Sequence, residues 1–158
     1  MFGFFKKKGH QILSVMDGKV IPISEVEDVA FSEKMLGDGV GIIPADGTVF
    51  SPVNGEIIQI FDTLHAYGIR ADDGAEILIH IGINTVELQG KGFKTFVKTG
   101  QKVKAGEKIA EVNIDLIKSN GYSTQTPVVI TNMDSIKEIK CNYGETQAGK
   151  SVIISYSK

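Results

Sequence analysis

The run Glu76-Ile77-Leu78-Ile79-His80-Ile81-Gly82-Ile83-Asn84-Thr85-Val86-Glu87-Leu88 constrains this chain more than any other stretch. It is short, apolar and β-branched, which favours a strand over a helix. Side chains alternate along a strand, so Ile77, Ile79, Ile81 and Ile83 share one predicted core face. His80 points the other way, between Leu78 and Gly82. Leu78 keeps its surroundings apolar, and Gly82 leaves one flank bare, open to approach by another molecule.

The preceding run, Thr63-Leu64-His65-Ala66-Tyr67-Gly68-Ile69-Arg70, is joined to it through Asp72-Asp73-Gly74, a hairpin signal. With an even loop centred on Asp73-Gly74, Ile69 faces Leu78, Tyr67 faces His80 and His65 faces Gly82. The two histidines are then diagonal neighbours on one face. An odd loop, such as three residues ending in Gly, puts them on opposite faces, because a slip of one residue inverts a strand.

Most of the chain repeats this grammar. Eighteen glycines punctuate short β-branched runs, which points to an all-β fold. Strands are expected on either side of Met16-Asp17-Gly18, with Pro22 at an edge, and over Val40–Pro44, Thr48–Phe50, Glu56–Phe61, Pro127–Thr131 and Ser151–Tyr156. Ser24–Phe31 reads as a loop or bent strand. Asp115–Asn120 reads as one or two helical turns stopped by Gly121. The expected architecture is an antiparallel β-sandwich or barrel with at most short helical turns.

The 158 residues are enough for one domain with a sizeable core. We expect a flexible tail over 1–11 and a single domain over 12–158, with His10 solvated. Phe2, Phe4 and Phe5 beside Lys6-Lys7-Lys8 suit a passing contact with an anionic membrane. A net charge of −2 argues against a nucleic-acid binder with a broad basic surface. The lone Cys141 excludes an intrachain disulfide and fits a reducing compartment. With no signal-peptide core and no apolar run long enough to span a bilayer, a cytoplasmic location is expected.

Gly37-Asp38-Gly39, Pro52-Val53-Asn54-Gly55, Thr63-Leu64-His65-Ala66, His80 to Leu88 and Thr126 to Asp134 follow one another in order. Together they resemble the glucose-type enzyme IIA family of the bacterial phosphoenolpyruvate-dependent sugar phosphotransferase system, from about residue 12 onward. The resemblance implies a β-sandwich of the duplicated-hybrid-motif type and a phosphoryl relay. The phosphocarrier HPr donates, and the group passes to the IIB domain of a glucose-type permease. His80 matches the acceptor, a tele-phosphohistidine; His65 matches the second histidine, and Thr63 the threonine before it. No cofactor or metal is implied, and a monomer is expected, with regulatory targets as further partners.

A neutral imidazole can attack phosphorus without a separate base, provided its other nitrogen is held by a hydrogen bond. His65 then donates to a phosphoryl oxygen, Thr63 orients His65, and Gly82 with adjacent backbone N–H groups offers further donors. Val29, Phe31, Met35, Leu36, Phe61, Leu78 and Val86 match the family's apolar docking rim, a pattern that excludes water from a relay. Asp38 and Asp134 match its acidic residues, suited to a basic ring on HPr. Asn84 departs from the Asp often found there and removes one negative charge beside His80. Two rivals use the same residues differently. A zinc hydrolase needs a third ligand beyond His65 and His80. A lipoyl- or biotin-type carrier needs a modified Lys in a hairpin signature that is absent around Val103–Ile109.

Overall fold

The structure, a computed structural model, describes residues 9–158. The proposed membrane contact of the first residues lies outside them. Fourteen strands follow in order: β1 (His10–Leu13), β2 (Gly18–Pro22), β3 (Asp38–Pro44), β4 (Thr48–Phe50), β5 (Gly55–Ile60), β6 (Ala66–Ala71), β7 (Glu76–His80), β8 (Phe93–Thr95), β9 (Lys102–Val103), β10 (Lys108–Val112), β11 (Thr126–Ile130), β12 (Glu138–Cys141), β13 (Gly144–Thr146) and β14 (Val152–Ser157). Two short helices interrupt them, α1 (Val29–Ser32) and α2 (Ile114–Ser119). The fold is therefore the expected antiparallel β-sandwich.

An eight-stranded sheet, ordered β13-β2-β3-β11-β7-β6-β5-β9, packs against two three-stranded sheets, β1-β14-β12 and β4-β10-β8. Alternation explains the main core. Ile77 and Ile79 from β7, Tyr67 and Ile69 from β6, and Val128 and Ile130 from β11 all point into it. Residues between them, Leu78 and Val129, point to the opposite face.

That opposite face is covered as well, by a second apolar cluster of Ile21, Ile23, Val26, Phe31, Ile83 and Val129, with Leu78 at its margin. The cover is the segment read from sequence as a loop or bent strand. It holds a 3₁₀ turn at Ile23–Glu25 and then α1. Asp28 starts the helix by accepting the Ala30 N–H on its carboxylate, which satisfies one of the free donors of the first turn. Gly41 lets the segment lie close, because a Cβ there would stand 2.6 Å from Val26 Cγ2. Ile83 belongs to this cluster and not to the core face assigned to it, because the chain turns at Gly82 after β7 has ended.

The structure revises two further expectations. β1 already starts at His10 and pairs with β14, inside the stretch assigned to the tail. His10 is tied down: Nδ1 lies 2.8 Å from Asp73 Oδ2, and the ring stacks on Tyr156. Asp73 therefore clasps two chain ends besides shaping its turn, since the Tyr156 hydroxyl also donates to it. Pro22 pairs with Val40 of β3, while β13 reaches only Gly18 to Val20, so on its other side the proline does stand at an open edge.

Candidate functional site

The site forms where β6 begins and β7 ends. Between β6 and β7, Ala71 N–H donates to Ala75 O and Arg70 pairs with Glu76, so the turn they close holds an odd number of residues, Asp72, Asp73 and Gly74. The register therefore follows the odd alternative, with Ala66 opposite His80 and Tyr67 opposite Ile79. Regular alternation would separate the two histidines. They meet nonetheless, with ring centroids 4.8 Å apart and planes at 82°. His65 precedes the first residue of β6, and Leu64 before it has left-handed backbone (φ 60°). This local turn, stabilised by the Leu64 N–H on Phe61 O, takes His65 out of the alternation. The Ile81 N–H donates to His65 O at 2.6 Å and holds the two chain segments together.

Each imidazole has one nitrogen engaged. His80 Nδ1 lies 2.7 Å from Gly82 O. A carbonyl only accepts, so Nδ1 carries the proton and, in the neutral ring, Nε2 keeps its lone pair. His65 Nδ1 lies 2.6 Å from Thr63 Oγ1, the contact expected from the sequence. Burial lowers the pKa of His80, opposed by the Gly82 carbonyl and the Asp28 carboxylate. His65, only 3% exposed, is pushed down to about 4, chiefly by burial and then by charge on His80. Both rings are therefore neutral near pH 7. Ile81 and Ile83 use their N–H groups on His65 O and Ser123 O, so of these three neighbours the Gly82 N–H is the candidate donor to an incoming oxyanion.

The predicted rim divides into wall and surface. Phe31 is 2% exposed, with its ring 5.2 Å from that of His80, so in the free chain it forms a wall of the site. Leu78 is half-buried against the second cluster. Phe61 meets His65 edge-on at 5.4 Å and remains partly exposed. Val29 and Met35 are 68% and 69% exposed, and Leu36 and Val86 also face outward. Asn84 is exposed, in left-handed backbone (φ 63°), a conformation Asn tolerates better than most residues. Asp38 is half-buried and held by the Gly39 N–H and by Lys34 Nζ at 3.5 Å. With the exposed Asp134 it borders a surface recess shared with Met35 and Leu36. The carboxylate that raises the His80 pKa against its burial is Asp28, which sequence reasoning passed over. Its signal was an Asp directly ahead of Val29-Ala30-Phe31, a cap position.

Comparison with known proteins shows the family. Residues 10–136 match the family described as phosphoenolpyruvate-dependent sugar phosphotransferase system, EIIA 1. The chain belongs to this family. As an EIIA component it is a phosphotransferase relay protein of sugar transport. It is 47% identical over 147 residues to the PTS system glucose-specific EIIA component of Bacillus anthracis, covering 92% of this chain and 89% of that one. The glucose-specific EIICBA component of Streptococcus pneumoniae is 42% identical over 149 residues, 94% of this chain but 20% of that longer protein. Glucose permease IIA from Mycoplasma capricolum superposes with a TM-score of 0.89 at 39% identity, covering 98% of this chain and 99% of the other. Among the described residues, no group of three or more His, Cys, Asp or Glu side chains is placed to hold a metal.

Proposed function

We propose that His80 Nε2 accepts a phosphoryl group from phospho-HPr and passes it to the IIB domain of a glucose-type permease. The observation that carries this is the His80 Nδ1–Gly82 O bond. It fixes the protonated nitrogen inside and leaves the nucleophilic one free, so attack on phosphorus needs no separate base. Phosphoryl transfer depends on in-line positioning and on stabilising oxygen charge. With the Thr63 hydroxyl donating to His65 Nδ1, His65 carries its proton on Nε2 and gives that N–H to a phosphoryl oxygen. Asp28 tempers the loss of basicity that burial imposes on His80.

The exposed residues Val29, Met35, Leu36, Phe61 and Val86 form the docking surface for HPr and the permease domain, and burying them on docking shields the phosphohistidine from water. The fusion of EIIA to permease domains in the pneumococcal relative supports the second partner. The described residues contain no helix long and apolar enough to cross a membrane, which suits a cytoplasmic protein that meets the membrane through its permease. Phosphoenolpyruvate is the ultimate phosphoryl source, so no cofactor enters the proposal.

Incubation with phosphoenolpyruvate, enzyme I and HPr is expected to add one acid-labile, base-stable phosphate. His80→Ala abolishes the labelling. His65→Gln still accepts phosphate but passes it on poorly. Full labelling of the His80→Ala protein refutes the assignment.

A further inference from the structure

Ile81 lies between the two histidine segments, and both of its backbone polar groups are engaged at the site. Its N–H donates to His65 O, and its C=O accepts from the Thr85 hydroxyl at 2.6 Å. Thr85 is fully buried, at the start of the 3₁₀ turn Thr85–Leu88 that follows the His80 strand. Its methyl group also stands over Gly82: a Cβ on Gly82 would come within 2.5 Å of Thr85 Cγ2. Gly82 itself has φ +80°, a conformation for which glycine is suited. On the next residue, Ile83 N–H is anchored to Ser123 O. The peptides on both sides of Gly82 are thereby clamped, and the carbonyl that this clamp aims is the one accepting from His80 Nδ1.

We infer that Thr85 is a positioning residue for the phosphoryl acceptor: its hydroxyl on Ile81 and its methyl over Gly82 hold the Gly82 carbonyl on His80 Nδ1 and so keep Nε2 free. Thr85 touches neither imidazole through a polar atom and acts through this turn alone. Removing the hydroxyl leaves the buried Ile81 carbonyl without its side-chain donor and frees the Ile81–Gly82 peptide; the Gly82 torsions then relax, and the adjoining Gly82–Ile83 peptide, which carries the Gly82 carbonyl, keeps only the Ile83 N–H on Ser123 O to hold it. Once the Gly82 carbonyl swings away, nothing on that side distinguishes the two ring nitrogens, and a fraction of His80 carries its proton on Nε2. That fraction cannot attack through Nε2. The inference rests on the reading of His80 Nε2 as the acceptor, but its signature is present before any phosphate is added.

The test is the tautomer of His80, read from its ring nitrogen shifts by ¹⁵N NMR in the unphosphorylated protein near neutral pH. Three proteins are compared: the natural chain, Thr85→Val and Thr85→Ser. The natural chain is expected to show the Nδ1–H form alone. Valine preserves the branch and deletes the hydroxyl; it raises the Nε2–H form and slows phosphate acceptance roughly five- to tenfold, the value of one hydrogen bond. Serine restores the hydroxyl and returns both readings toward the natural chain, a rescue that a merely space-filling role would not produce. If valine leaves the tautomer and the acceptance rate unchanged, the inference is overturned. Should the valine protein not fold, Thr85→Ala makes the same deletion without the branch, and the same two outcomes apply. A natural chain that shows the Nδ1–H tautomer yet never takes phosphate on His80 sinks the proposed function without touching the positioning claim.

Discussion

Acid should unfold this protein partly through His65. The ring is 3% exposed and its pKa is held at about 4 against an ordinary 6.5. Above 6.5 the ring is neutral in folded and unfolded chains alike, and its contribution is fully retained. As pH falls through 6.5 the unfolded chain takes a proton that the folded chain refuses until about pH 4. Stability is lost across that window at about 1.36 kcal/mol per pH unit. Between about pH 7.5 and about pH 4.5 the loss traced to this one ring is about 2.5 kcal/mol. The perturbation is His65→Gln, which keeps a polar side chain of similar reach and removes the titration. Urea unfolding of both proteins at the two pH values isolates the effect, since the carboxylates that titrate in the same range are common to both. The natural chain should lose about 2.5 kcal/mol more than the variant. Equal losses would mean that His65 is readily protonated in the folded state, and the account of a dry, neutral imidazole pair would fail.

Two other outcomes follow from the geometry. Phe31→Ala empties a buried wall and should destabilise the protein by about 3–5 kcal/mol in denaturant unfolding, whereas Met35→Ser on the exposed surface should change stability by about 0.5 kcal/mol or less while weakening capture of phospho-HPr in a transfer assay. Asp28→Asn retains a capping oxygen for Ala30 but removes the charge that supports protonation of His80; an NMR titration should show the His80 pKa falling further, and no change would mean that the Asp28 charge does not reach the ring.

The parts of the fold carried by alternation were legible in the sequence. Ile77 and Ile79 face the core as their spacing requires, and Asp46-Gly47 and Asp73-Gly74 mark real turns, whereas Asp38-Gly39 lies inside β3 and pairs with β11. The grouping of Thr63, His65 and His80 was indicated by the resemblance, and the structure does bring these side chains together. What escaped was set by local backbone geometry that alternation does not encode. The turn between β6 and β7 holds three residues, not an even number, and alternation alone would then have separated the histidines. Leu64 in left-handed backbone and the turn at Gly82 bring them together past the strand ends. The α1 segment was hidden because four helical residues give no periodicity, and its one signal was the Asp28 cap. Reading that segment as a loop or bent strand left Asp28 unnoticed.

The stretch from Ile23 to Ser32 has an inner and an outer side with separate duties. Inward, Phe31 lies against the His80 ring and Val26 packs in the apolar cluster behind it; outward, Val29 is exposed. Under the proposed function, substitutions on the outward side retune which visitor is welcomed while the chemistry beneath continues undisturbed. A lineage bearing this scaffold can thus change its clientele one surface residue at a time without rebuilding its reactive centre.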